Sequence, residues 1–122
     1  MTARQDFTID AGRDYGLVLA LFEADLTTPL NLQDCELEWI ITAASGQTAL
    51  VNKSSLDPDE IEITSPDEGL ATIHVHASDT ADLGMLTCQH ELIVIDAAHL
   101  EATVMRGLVT IIRSLIQHVD PG

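Results

Sequence analysis

Apolar and polar residues alternate in short runs along most of the chain, and clusters of Gly, Pro, Asp and Ser interrupt them at intervals of roughly 8–12 residues. A period of two places alternate side chains on opposite faces of a strand, so each run predicts one apolar face and one wet face. The clearest case is Cys35–Thr42, where Leu37, Trp39 and Ile41 oppose Glu36 and Glu38. Trp39 is the single tryptophan and is expected to anchor the core. Leu70–His76 repeats the pattern with Ala71, Ile73 and Val75 against Thr72, His74 and His76, and Glu60–Thr64 sets Ile61 and Ile63 against Glu60 and Glu62. Regularly spaced short strands predict an all-β sandwich or barrel.

The remaining elements follow from the same signals. Phe7–Ile9 is a short strand closed by Asp10-Ala11-Gly12. Tyr15–Phe22 puts Leu17, Leu19 and Leu21 on one face and Val18 and Phe22 on the other, which predicts a strand in the middle of a packed sheet. Pro29, Ser45-Gly46, Asp57-Pro58-Asp59 and Pro66-Asp67-Glu68-Gly69 mark turns, and Ala49–Val51 is a short strand. Ser78–Gly84 is the one helical turn, with 79–83 as its body, Asp79 as cap and Gly84 as left-handed exit. Leu86–Ile95 and Ala102–Ile112 are two longer strands. Leu108, Ile111, Ile112, Leu115 and Ile116 also fit a helical stripe, but Val109, Thr110 and Ile111 are β-branched and Gly107 is a poor helix residue. Strand is therefore expected up to Ile112, followed by an arm with one apolar side.

Composition narrows the function. The chain has 122 residues, enough for one domain, and 46% of them are hydrophobic, which excludes a disordered chain. Five Lys and Arg stand against 20 Asp and Glu, for a formal net charge of −15. Arg4, Arg13, Lys53, Arg106 and Arg113 are scattered, so they cannot form the cationic cluster that a phosphate backbone or an anionic membrane requires. The acidity suits a basic protein partner, and it also allows imitation of nucleic acid in a basic groove. No apolar signal core follows Met1, and no stretch approaches the roughly 18 apolar residues of a membrane span. Cys35 and Cys88 lack a C-x-x-C spacing and are expected as reduced thiols.

Candidate chemistry is sparse. His74 and His76 share one strand face, as do Cys88 and His90, and two such pairs could build a tetrahedral zinc site. Any two strand residues separated by one share a face, however, and no C-x2-C or H-x3-H element accompanies them. Ordinary core or surface histidines are the expected outcome. The chain lacks a G-x-S-x-G elbow, a P-loop and a G-x-G-x-x-G fingerprint. No catalytic residue, cofactor or metal is expected.

Taken in order, the segments resemble a known family. Phe7-Thr8-Ile9-Asp10-Ala11-Gly12-Arg13-Asp14 precedes the apolar Leu17–Leu21, and Pro29-Leu30-Asn31-Leu32 leads into Glu36–Ile41. Gly69–Val75 is followed by Asp79-Thr80-Ala81-Asp82-Leu83-Gly84, then by Glu91–Asp96 and Gly107-Leu108-Val109-Thr110-Ile111. This order resembles the small immunoglobulin-like domains of tailed-bacteriophage structural proteins, best known as the N-terminal domain of baseplate upper proteins. The likeness departs from the family at Cys88 and His90, where paired aromatics are usual, and at Ala98-His99, where Asp-Gly is usual.

The resemblance implies an antiparallel immunoglobulin-like β-sandwich of seven to eight strands over residues 7–112, with 1–6 as an N-terminal arm and 113–122 as a C-terminal tail. It implies a non-enzymatic tail or baseplate adaptor, or a fibre-attachment module, present in several copies in a symmetric particle and assembled in the host cytoplasm. Without the family's helical and receptor-facing extensions, it would stand alone as an adaptor or initiator. A capsid decoration protein is the alternative within virions, and an acidic inhibitor imitating nucleic acid is the alternative outside them. Both arms are expected to be mobile and to order on neighbouring subunits. The partner contact is expected at Leu115, Ile116 and Val119, which are apolar and lie beyond the last strand.

Overall fold

The alternating runs become strands of two facing sheets in a computed structural model, which describes residues 3–23, 25, 27–43, 49–83 and 86–112. The strands are β1 (Ala3–Arg4), β2 (Phe7–Asp10), β3 (Tyr15–Ala20), β4 (Glu36–Thr42), β5 (Ala49–Ser54), β6 (Ile61–Ser65), β7 (Leu70–Val75), β8 (Leu86–Ile95) and β9 (Glu101–Ile112). The larger sheet has the order β1–β9–β8–β4–β5, with β2 also on β9, and the smaller has the order β3–β7–β6. One short helix, α1 (Ala77–Thr80), and a 3-10 turn at Pro66–Glu68 complete the described elements.

This is an immunoglobulin-like sandwich. The strands β4, β8 and β9 form the three-stranded kernel of one layer and β3, β7 and β6 form the other, in the Greek-key order of that architecture. With β1 and β2 taken as one interrupted edge strand, the described residues make eight strands.

The core follows the expected phase. Leu37, Trp39 and Ile41 from β4 are fully buried, as are Ala71, Ile73 and Val75 from β7. Cys88, Leu92, Val109 and Ile111 close the large-sheet side, and Ile9, Leu19, Leu32 and Ile61 fill the remainder. Gly69 takes φ 67° after the 3-10 turn, and a Cβ there would sit 2.4 Å from the Leu21 carbonyl oxygen, so only glycine fits.

Four expectations are corrected. First, β3 is an edge strand rather than a central one, and Val18 on its outer face is 77% exposed. A two-layer sandwich has no third layer to cover that face, so apolarity on both sides of a strand does not imply burial on both. Second, residues 3–6 do not stand outside the sandwich, because β1 continues the edge begun by β2 and Gln5 donates its backbone N–H to Arg106 O at 3.0 Å. Third, that edge is not antiparallel: β1 and β2 both run parallel to β9, from Ala3 beside Met105 to Asp10 beside Ile112. Parallel pairing is possible here because the first and last strands meet without a short hairpin between them.

Fourth, the helical turn expected over 79–83 begins two residues earlier, as α1. His76 is its N-cap, and Asp79 is the third helical residue, whose carboxylate reaches back to accept the His76 N–H at 2.7 Å. Gly84, the Ser45-Gly46 turn and the tail 113–122 lie outside the described residues.

The β8–β9 hairpin uses Asp96 in place of a glycine-based turn. Its carboxylate accepts the Ala98 and Leu100 N–H groups at 2.9 and 3.0 Å, and His99 adopts φ 63° between them. A side chain in this left-handed region costs roughly 1–2 kcal/mol. His99→Gly is therefore expected to raise stability by about 0.5–1 kcal/mol in a urea titration, the glycine's extra unfolded-state freedom taking back the rest. Trp39→Ala is expected to cost about 3–5 kcal/mol in the same measurement, and a loss below about 1 kcal/mol would contradict its place in the core.

Candidate functional site

Because β8 places every second residue inward, Cys88 and His90 enter the core beside Leu92 and Val94. His90 is 2% exposed, and a buried imidazole needs both nitrogens satisfied. The Trp39 indole N–H donates to His90 Nδ1 at 3.1 Å. An indole nitrogen can only donate, so Nδ1 is the acceptor and the ring proton sits on Nε2. Nε2 then donates to the backbone oxygen of Gln5, in the join between β1 and β2. Phe7 packs on the same ring, with centroids 5.0 Å apart.

The opposite strand makes room for this string of bonds. Gly107 pairs with His90 across the β8–β9 ladder, and a Cβ there would lie 2.1 Å from Gln5 O. With no side chain at Gly107, the Gln5–Asp6 join can settle onto β9, where the Asp6 carboxylate accepts the Leu108 N–H at 2.9 Å. That hydrogen bond, with help from Arg4, holds the Asp6 carboxyl below its ordinary range. Burial lowers the His90 pKa, opposed by the Gln5 hydrogen bond and by the Asp6 charge.

A second buried polar group lies on β5. Lys53 is 3% exposed, and its Nζ lies 2.6 Å from Asp79 Oδ2. Nearby, the Asp14 carboxylate accepts the Ala77 N–H at 2.7 Å, and the buried Thr80 hydroxyl accepts the Gly12 N–H at 2.9 Å. These bonds fasten α1 to the turn between β2 and β3 and to the far edge of the larger sheet. The ammonium is the buried member of this pair, so removing Asp79 would leave it an unpaired charge in the core. Among the described residues, no buried side-chain nitrogen or oxygen lacks a hydrogen-bond partner.

The four residues weighed as zinc ligands do not converge. His74 points outward from β7 and lies 3.9 Å from Glu62, while His76 sits before α1 with Nε2 3.0 Å from Asp59 O. Cys88 and His90 point inward from the opposite sheet. Among the described residues, no group of three His, Cys, Asp or Glu side chains could hold a metal ion. Both cysteines are free thiols, and burial raises the pKa of each, with Asp96 and Asp34 adding to the effect at Cys35. Neither is an activated nucleophile.

On the outer face of the larger sheet, half-buried Ile40 and Ile93 lie among Glu36, Glu38 and Glu91, and Arg106 reaches Glu91 at 3.8 Å. Val18, Leu56 and Leu100 are strongly exposed. Leu115, Ile116 and Val119, expected as the partner contact, lie outside the described residues.

The His90 geometry predicts a pH dependence. A second proton would have to go on Nδ1, where it would face the Trp39 N–H, donor against donor. The folded pKa lies below the unfolded value of about 6.5, so His90 contributes stability that is complete above that value. The contribution is lost as pH falls from there toward the folded pKa. Urea midpoints of the wild type are expected to fall more steeply below about pH 6.5 than those of His90→Gln, and parallel curves would contradict the arrangement.

No family model matches the chain, and no curated protein matches it. Among solved structures, the chain is similar to one in a crystal structure of ICOS in complex with ICOS-L and an anti ICOS-L VNAR domain. That likeness has 16% identity and a TM-score of 0.43, and it covers 92% of this chain but 56% of the other.

Proposed function

We propose that the chain is a non-enzymatic structural part of a tailed-bacteriophage particle, a tail or baseplate adaptor or fibre-attachment module. The observation that carries the non-enzymatic part is the use made of the reactive side chains. His90 and Lys53 are consumed in internal bonds, and Cys88 is buried in the core. Such a molecule works through its faces and edges, which neighbouring subunits can cover or extend. The phage assignment is supported by the ordered motifs from Phe7 to Ile111 and by the immunoglobulin-like topology they fold into.

The reading implies several copies on a symmetric particle, contacts with other tail, baseplate or fibre proteins, and assembly in the host cytoplasm. Leu115, Ile116 and Val119 remain the proposed contact, on composition alone.

Mass spectrometry and imaging of purified particles test the reading. The chain is expected in tail or baseplate fractions, with incorporation strongly reduced on deletion of Arg113–Gly122. Its location on the capsid shell would favour a decoration protein instead. Absence from particles, with salt-sensitive binding to a DNA-binding enzyme, would favour an acidic mimic of nucleic acid.

A further inference from the structure

Strand edges are where a β-sandwich can add another chain, and most edges here are blunted. The β6 edge carries Glu62 and a register shift between Ile63 and Ser65. The β5 edge is irregular where Ile41 and Thr42 change register, and it turns Lys53 inward. The β1–β2 edge carries Arg4, Asp6 and Asp10 and is interrupted at Gln5–Asp6. These are the usual protections against edge pairing.

The β3 edge has none of them. Its sequence is Tyr15-Gly16-Leu17-Val18-Leu19-Ala20, without charge or proline, and its register on β7 runs unbroken from Tyr15–Val75 to Ala20–Leu70. Leu21 extends the line by donating its N–H to Gly69 O at 2.9 Å. Among the described residues, no strand pairs with the other side of β3.

We infer that this edge binds the same edge of a second copy, joining the two small sheets into one continuous antiparallel sheet across a two-fold axis at Val18. The register follows from the sequence. Facing residues must share a sheet face, so their numbers must sum to an even value, and centring the extended run on Val18 sets that sum at 36. Val18 then faces Val18, Gly16 faces Ala20, and Leu17 faces Leu19. The outer row is small and apolar and the inner row is leucine, so each copy complements itself. Charge agrees with this arrangement. At −15 per copy, two chains can approach closely only where they carry no charge, and β3 is such a place.

Sedimentation velocity on the full chain, from about 1 μM to about 1 mM, tests the inference. A monomer–dimer equilibrium is expected, tightening as added salt screens the net charge. Val18→Lys is expected to weaken the dimer at least about tenfold, because it sets two like charges face to face, while Leu50→Lys on the β5 edge leaves it intact. Val18 is exposed in the single chain, so at concentrations low enough to keep both proteins monomeric Val18→Lys should keep the wild-type melting temperature. As a second readout, Val18→Cys should form an intermolecular disulfide under mild oxidation faster than Leu50→Cys, since facing Cα atoms lie about 4.5–5.5 Å apart.

A monomer throughout the range would overturn the inference, as would a dimer indifferent to Val18→Lys. So would a monomer that dimerises only when Arg113–Gly122 is deleted, an outcome that would put the chain's own tail on the edge. None of these outcomes depends on whether the chain is a virion part.

Discussion

A tryptophan in a dry core must give its N–H to something, and Trp39 gives it to His90. Much of the architecture follows from that bond. Its geometry fixes the His90 tautomer and aims the other ring nitrogen at Gln5, and the Gln5 join needs Gly107 beneath it. A chain of two hydrogen bonds thus runs from the middle of β4, through β8, to the join between the edge strands β1 and β2. The larger sheet is held together from β4 to its edge by this polar thread as well as by its backbone ladders, and the thread holds only while the imidazole is neutral.

Cys88 and His90 occupy neighbouring inward positions on β8. Here Cys88 supplies a small apolar group, and His90 supplies a ring that packs on Phe7 and bonds to Trp39 as well. The pair therefore keeps the inner face of β8 filled while adding direction. Lys53 plays a comparable part on the other flank of Trp39, its cross-strand neighbour, where one buried ammonium meets Asp79 and holds the short helix against the core.

The strand phases of β4 and β7 are legible because each sets a mostly apolar face against a mostly polar one, and the inward positions of Trp39 and Ile73 follow from counting by two. Where a side chain breaks the polarity rule, counting misplaces it. Lys53 continues the inward row after Val51, yet a lysine ends the apparent strand, so the pattern alone stops the element at Val51 while β5 runs on to Ser54. Val18 fails in the opposite sense, being apolar where there is only solvent. The partners of His90 lie 51 and 85 positions away, so no local spacing could name them. Gly107 facing His90 is the one available signal, and it gains meaning only once β8 and β9 are known to pair in that register. The two-residue β1 carries too little sequence to show a period.

The parallel course of the first and last strands has a mechanical consequence. Ala3 lies beside Met105 and Asp10 beside Ile112, so the chain enters the edge at one end of the contact and leaves β9 at the other. Tension applied between those two points would slide the strands lengthwise past each other, straining their rungs together instead of unzipping them one at a time. A domain wired this way resists stretching far better than it resists peeling.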